Sequence, residues 1–272
     1  MDISDTVVVV TGGGAGLGMA LCRDFASRNA AGVVVVDLDE EAAAKAAAEV
    51  GGVAVVADVG RERELGRVVE LAREAYGRVD IFVSNAGTVA NGDPFTDDDV
   101  WRNLWQVNVM SGVYAARLVL PEMLERGSGH LAFTASSTGL TTSTGDMVYA
   151  ATKHAQVACA EWLAMAYGSR GIGVTCFCPR WMWTEMTRKA VADPAEVPPA
   201  LALAQVGGVT AAEAAASFVE AIVSNEFLAT TYHDVLDDFR FKAENFDGWI
   251  ARLQEWHDVV QPEVGRAKGE AS

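Results

Sequence analysis

Thr6-Val7-Val8-Val9-Val10-Thr11-Gly12-Gly13-Gly14-Ala15-Gly16-Leu17-Gly18 is the stretch on which the fold turns. A short valine run bounded by threonines reads as a strand buried on both faces, the kind found inside a parallel sheet. It passes straight into glycines, which let the backbone turn tightly and approach a ligand with no Cβ in the way. A helical segment over residues 17–29 follows. Strand, glycine loop and helix in that order aim unpaired helix N–H groups at a pyrophosphate. The spacing is TGxxxGxG, not GxGxxG, and Gly12, Gly14, Ala15, Gly16, Leu17 and Gly18 form the candidate cradle.

Outward from this loop the chain alternates. Residues 6–11, 33–37, 53–58, 80–84, 130–135 and 173–178 read as strands, short, apolar and bounded by Gly, Asp or Asn. Residues 17–29, 40–50, 62–76, 100–125 and 148–170 read as helices, and a last helix near 211–224 precedes a seventh strand at 227–232. Such alternation predicts right-handed crossovers and a doubly wound α/β Rossmann-type parallel sheet of about seven strands, covered on both faces. One domain over residues 1–262 is expected. Within it, 184–209 carries Pro194, Pro198 and Pro199 and reads as an irregular insertion, and 233–260 as a helical C-terminal extension; 263–272 reads as a frayed tail.

Several acids and small residues fall at strand ends. Asp37, nineteen residues after Gly18, closes the second strand. There its carboxylate accepts hydrogen bonds from an adenosine ribose and repels a 2′-phosphate. No Arg or Lys lies in the glycine loop and Leu38 follows the acid, so the pattern favours NAD over NADP. Asp58-Val59 is placed to meet the adenine, and Asn85-Ala86-Gly87 offers a small-residue turn near the cofactor.

Composition narrows the function classes. The 272 residues carry a formal net charge of −16 and are 50% hydrophobic. The apolar content excludes wholesale disorder, and the charge argues against nucleic acid and anionic membrane as partners. No apolar run approaches the roughly 18–20 residues of a membrane span. The N-terminus lacks a secretion-signal pattern, so a soluble, cytoplasmic protein is expected. The four cysteines form no CxxC pair and the four histidines are scattered, so reduced structural thiols and no metal are expected.

The catalytic candidates come last in the argument. Tyr149 and Lys153, spaced i, i+4, share a helix face, where an ammonium can lower a phenol's pKa. Ser136 lies thirteen residues upstream at the end of the fifth strand, and Asn108 in the long helix before it. With the glycine loop, Asp37, Asp58, Asn85-Ala86-Gly87, Tyr149 to Lys153, and the segment from Pro179 to Thr184, the chain resembles a short-chain dehydrogenase/reductase of the compact group. The matching positions run in order from residue 6 to about 187. The resemblance implies Tyr149 as acid/base, Ser136 as holder of the substrate oxygen and Lys153 on the nicotinamide ribose. It also implies a proton-relaying water at Asn108, Thr184 on the carboxamide, and a homo-oligomer, tetramer or dimer.

Two departures bear on the substrate. Arg180 stands where the family usually has Gly, and Tyr232-His233-Asp234 with a helical tail replaces the family's Asp-Gly-Gly segment. Arg180 either binds an anionic group of the substrate or pairs with a nearby acid. Trp181, Met182, Trp183 and Met186 crowd the loop expected to cover the substrate, and Thr138 lies beside Ser136. An apolar, cyclic or aromatic secondary alcohol or its ketone fits such a wall, unless these side chains only pack the loop. Trp101 and Trp105 are expected at a subunit interface or in the core. A cofactor-binding regulator without turnover and a lyase or epimerase relative are the competing readings.

Overall fold

The computed structural model describes residues 1–90, 92–180, 182–183 and 208–269, with side chains to residue 257 apart from that of Trp183. Its strands are β1 Val7–Thr11, β2 Gly32–Asp37, β3 Val53–Val56, β4 Ile81–Ser84, β5 Gly129–Thr134, β6 Ile172–Phe177, β7 Met182–Trp183, β8 Val209–Thr210 and β9 Leu228–Ala229. Seven of them form one sheet in the order β3-β2-β1-β4-β5-β6-β9, every pair parallel. β7 and β8 pair separately.

The valine runs explain the sheet's position. All five residues of β1 are buried. Val9 packs into the core on one face, against Leu65, Val119 and Met123, while Val8 and Val10 pack on the other, against Leu21, Phe25 and Phe218. Strand side chains alternate between faces, so a strand sandwiched between helix layers must be apolar at every position. One layer holds α3 (Glu62–Tyr76), α5 (Ser111–Arg126) and α7 (Met147–Tyr167); the other holds α1 (Gly16–Ser27), α2 (Glu40–Val50) and α8 (Ala211–Ser224). α8 opens on a capping box between Thr210 and Glu213. Phe218 of that helix stacks on Phe177 of β6 at 4.5 Å.

β1 lies between β2 and β4, so the winding reverses there. The carboxyl ends of those strands flank a crevice, the usual place for a ligand in open α/β sheets. Every candidate catalytic or cofactor residue in the described part of the chain follows a strand at this edge or lies on a helix facing it.

Three expectations need correction. Residues 100–125 are not one helix: α4 (Asp98–Trp105) passes through a π-helical turn, Gln106–Met110, into α5. The widened turn carries Asn108 inward to Thr88 and Thr152, partners that outweigh the regular ladder locally. The last strand pairs only over Leu228–Ala229, because its neighbour β6 ends at Phe177 just before Pro179. The C-terminal extension forms α9 (His233–Glu244) and α10 (Phe246–Gly269), so helix runs into the stretch expected to fray. Glu, Arg, Ala and Lys in that stretch are helix formers.

Candidate active site

The glycine loop is built for close approach. Gly12 has φ +63°, and a Cβ there would sit 3.0 Å from the Ala86 Cα. At Gly18 a Cβ would fall 1.9 Å from the Gly12 carbonyl oxygen, so α1 can lie this near the loop only with hydrogen at that position. α1 begins behind Ala15, which offers no side-chain cap, and its first turn holds no acid. By contrast, the Asp39 side chain accepts from Ala42 N at the start of α2. An uncapped N-terminus set behind a glycine-rich loop suits a pyrophosphate. Leu17 and Gly18 are buried in that first turn.

Asp37 holds the loop from the side. Its Oδ2 accepts from Gly14 N at 2.9 Å and its Oδ1 from Asp39 N at 3.2 Å. Each carboxylate oxygen keeps lone-pair capacity for a ribose hydroxyl. Leu38 is 72% exposed beside it. Asp58 accepts from Gly60 N at 3.0 Å and pairs with Arg61, and Val59 is buried. Asn85 ties three strands together: its Nδ2 donates to Thr11 O at 2.9 Å and its Oδ1 accepts from Thr134 Oγ1 at 3.0 Å. Thr11 Oγ1 in turn accepts from Asn85 N and Ala86 N. The crevice floor is therefore rigid at the point where strand order reverses.

The four catalytic candidates meet at the same edge. Tyr149 and Lys153 project from α7, with Nζ 5.6 Å from the tyrosine ring centroid. Ser136 follows β5; its Oγ accepts from Thr138 N at 3.2 Å, and its side chain acts on the Tyr149 phenol to favour the ionised form. Lys153, 3% exposed, donates to Thr134 O and to Gln156 Oε1, each at 2.9 Å. Asn108 accepts from Thr88 N and donates to Thr88 O and Thr152 Oγ1. Gly87 borders this group: a Cβ there would lie 3.4 Å from Asn108 Oδ1 and 3.7 Å from Lys153 Nζ.

Burial sets the electrostatics. It pushes Tyr149 up to about 12, against the lowering hydrogen bond from Ser136, with Asp146 and Cys178 adding to the rise. It also pulls Lys153 down to about 8. Desolvation outweighs an ammonium that is turned toward Thr134 and Gln156.

The segments that follow β5 and β6 are joined to the C-terminal extension. Thr138 Oγ1 lies 3.4 Å from Ser143 Oγ, which donates to Asp146 Oδ1. Ser143 also lines a cavity of about 680 Å³ walled by Met147, His154, Ile250 and Leu253. Pro179 O accepts from Ser137 N at 2.9 Å, closing the gap between the two strand ends. Arg180 pairs with Asp234 at 2.5 Å and Asp238 at 2.6 Å, both on α9. Of the two readings open for Arg180, the structure has the acid pair. Asp238 also binds Arg252 of α10. Lys242 Nζ donates to Leu140 O, and the buried Trp249 Nε1 to Thr141 O. Trp181, Thr184 and Met186 lie outside the described residues. Trp105 is 42% exposed, so it is not a core residue.

A family model described as short chain dehydrogenase matches residues 6–195. The chain belongs to the short chain dehydrogenase family. Among curated relatives of this family, 1-deoxy-11-beta-hydroxypentalenate dehydrogenase of Streptomyces exfoliatus is 34% identical over 69% of this chain and 71% of its own length. The 3beta-hydroxysteroid dehydrogenase 2 of Eggerthella lenta is 33% identical over 65% of this chain and 71% of its own. Among solved structures, a short chain dehydrogenase/reductase from Burkholderia phymatum in complex with NAD has a TM-score of 0.82 at 27% identity, covering 91% of this chain and 96% of the other. Levodione reductase gives 0.76 at 29% identity, covering 84% and 96%.

Within this short chain dehydrogenase frame, several contributors were absent from the motif reading. Thr88 and Thr134 hold Asn108, Asn85 and Lys153 in place. A threonine beside a motif carries no spacing signal. Gln156 was findable, since it stands i+3 from Lys153 on an expected helix. Among the described residues, no group of three or more His, Cys, Asp or Glu could hold a metal ion, and no helix is long and apolar enough to cross a membrane.

Proposed function

We infer that this chain is an NAD-dependent oxidoreductase that interconverts a secondary alcohol and its ketone, with Tyr149 as acid/base. The observation carrying this is the convergence of Tyr149, Ser136, Lys153 and Asn108 beside the glycine cradle at one edge of the sheet. When bound, the nicotinamide supplies the hydride acceptor or donor. Ser136 holds the substrate oxygen, and Tyr149 takes or returns the proton on that oxygen. Lys153 binds the nicotinamide ribose. Asn108 holds a water that passes protons onward from Lys153. Thr184 meets the carboxamide, and Asp37 takes the adenosine ribose and selects NAD.

The substrate is an apolar, cyclic or aromatic alcohol or ketone. Trp181, Met182 and Met186 stand in the segment that would cover it, and two relatives are named for a hydroxypentalenate and a hydroxysteroid. The acids on Arg180 also favour a substrate whose recognition does not depend on a carboxylate there. The test is incubation with NAD and a panel of cyclic and aromatic secondary alcohols, following absorbance of the reduced cofactor. NAD binding without turnover of any panel member would count against this substrate class and favour the regulatory reading. Tyr149→Phe keeps the ring and removes the proton carrier, so kcat should fall by about a hundredfold or more. A Tyr149→Phe protein with near-normal kcat would overturn the assignment.

A further inference from the structure

Lys153 is a buried cation without an ionic partner: among the described residues it forms no salt bridge. The groups that face it are few. From β6 and its end come the Cys176 and Cys178 thiols, which act on it only if ionised. Cys176 is held well above the ordinary thiol range by its hydrogen bond with the free Cys178 thiol and by burial, so it stays neutral. From β5 comes the Thr134 carbonyl, from the end of β4 Gly87, and from α7 itself Tyr149 and Gln156. At neutral pH the charge is therefore supported by oxygen dipoles, not by a carboxylate.

Gln156 supplies one of those dipoles. It is 2% exposed on a helix whose neighbouring buried positions include Ala150 and Ala160, where an apolar side chain would cost less to bury. An ammonium has three N–H donors. Two are committed to Thr134 O and Gln156 Oε1, which fixes the direction of the third. We propose that Gln156 is a positioning residue that orients the Lys153 ammonium and keeps it charged where it meets the nicotinamide ribose. The ribose clause rests on the function inferred above; the coupling of Gln156 to Lys153 does not.

The two parts are separable by experiment. Lysines carry a ¹³C label at Cε, and the Lys153 signal is assigned by its loss in Lys153→Arg. The cofactor-free chain is then titrated. Gln156→Met removes the acceptor at similar length and should lower the Lys153 pKa by about one unit. Gln156→Glu keeps the shape, adds a negative charge, and should raise it by at least as much. Thermal melts identify folded variants, and the glutamate variant serves alone if the methionine variant does not fold. NAD affinity measured by calorimetry across pH is the second readout, its alkaline decline moving down in Gln156→Met and up in Gln156→Glu. A Lys153 titration identical in wild type and folded variants would overturn the proposal. A wild-type chain that binds no NAD would overturn the ribose clause and the function on which it rests, whatever Lys153 does.

Discussion

Asp37 is the residue whose chemistry is easiest to isolate. Both carboxylate oxygens already accept backbone N–H groups, from Gly14 and Asp39, so the side chain is held rigid before any ribose arrives. Hydrogen bonds to a charged group contribute about 1.5–3 kcal/mol each. Preference for NAD over NADP should therefore be on the order of ten- to a hundredfold in kcat/KM. Asp37→Ala should narrow that ratio and also weaken NAD, because Gly14 N loses its anchor. Equal kcat/KM with both cofactors in the wild type would refute the assignment. Tyr149 gives a second prediction at this scale. Burial favours the neutral phenol up to about pH 12 in the cofactor-free chain, so ultraviolet titration should find it above the free value of roughly 10. In the presence of NAD the same titration should move down, since a positive nicotinamide favours phenolate. Alcohol oxidation should accordingly rise with pH. A Tyr149 that titrates below 10 without cofactor would show that Lys153 outweighs burial after all.

Among elements, α9 and α10 distinguish this chain from the pattern it otherwise follows. They fasten to both walls of the site, through Arg180 after β6 and through the Leu140 and Thr141 carbonyls after β5. Arg180→Gly restores the usual family residue, takes the guanidinium away from Asp234 and leaves Asp238 with Arg252 alone. KM for the alcohol should change several-fold while NAD affinity stays within about twofold, a split readable in initial-rate kinetics and calorimetry. Loss of NAD binding would mean that Arg180 supports the cofactor. This latch was only half legible beforehand. Arg180 stood out as a departure, and so did the helical tail, but their partnership spans 54 positions to Asp234 and 58 to Asp238. No local periodicity reports a contact that distant. The π turn at Asn108 escaped for a related reason: its cause is a set of bonds to Thr88 and Thr152, not the helix's own sequence.

Across the whole molecule, the parallel sheet of about seven strands and the helices on both its faces were legible because valine runs and glycine breaks state burial and turning directly. Buried polar groups were not. His130, 2% exposed within β5, is one of these. Its Nε2–H donates to Thr175 Oγ1, whose own hydroxyl donates to Glu226 O. Burial pulls its pKa down to about 4, against about 6.5 when unfolded. Between those values the unfolded chain binds more protons, so stability rises with pH through the window and is lost as pH falls from 6.5 toward 4. The loss from this group is on the order of 3 kcal/mol. Urea midpoints measured from pH 7 to 4.5 should fall, and His130→Gln should flatten the fall. A His130→Gln protein as acid-sensitive as the wild type would place the cause elsewhere.

Asp238, gripped by Arg180 on one side and Arg252 on the other, has an evolutionary consequence. Changing position 180 and losing the tail each leave a charge without its partner. A lineage that lost the tail first would unmask a guanidinium next to Pro179 at the end of β6, able to attract carboxylates. Replacing both Asp234 and Asp238 by asparagine re-enacts that history without truncation. Such a protein should gain inhibition by simple aliphatic and aromatic carboxylates that the parent ignores. The tail would then be seen as what allows an arginine to stand there without dictating the diet of the enzyme.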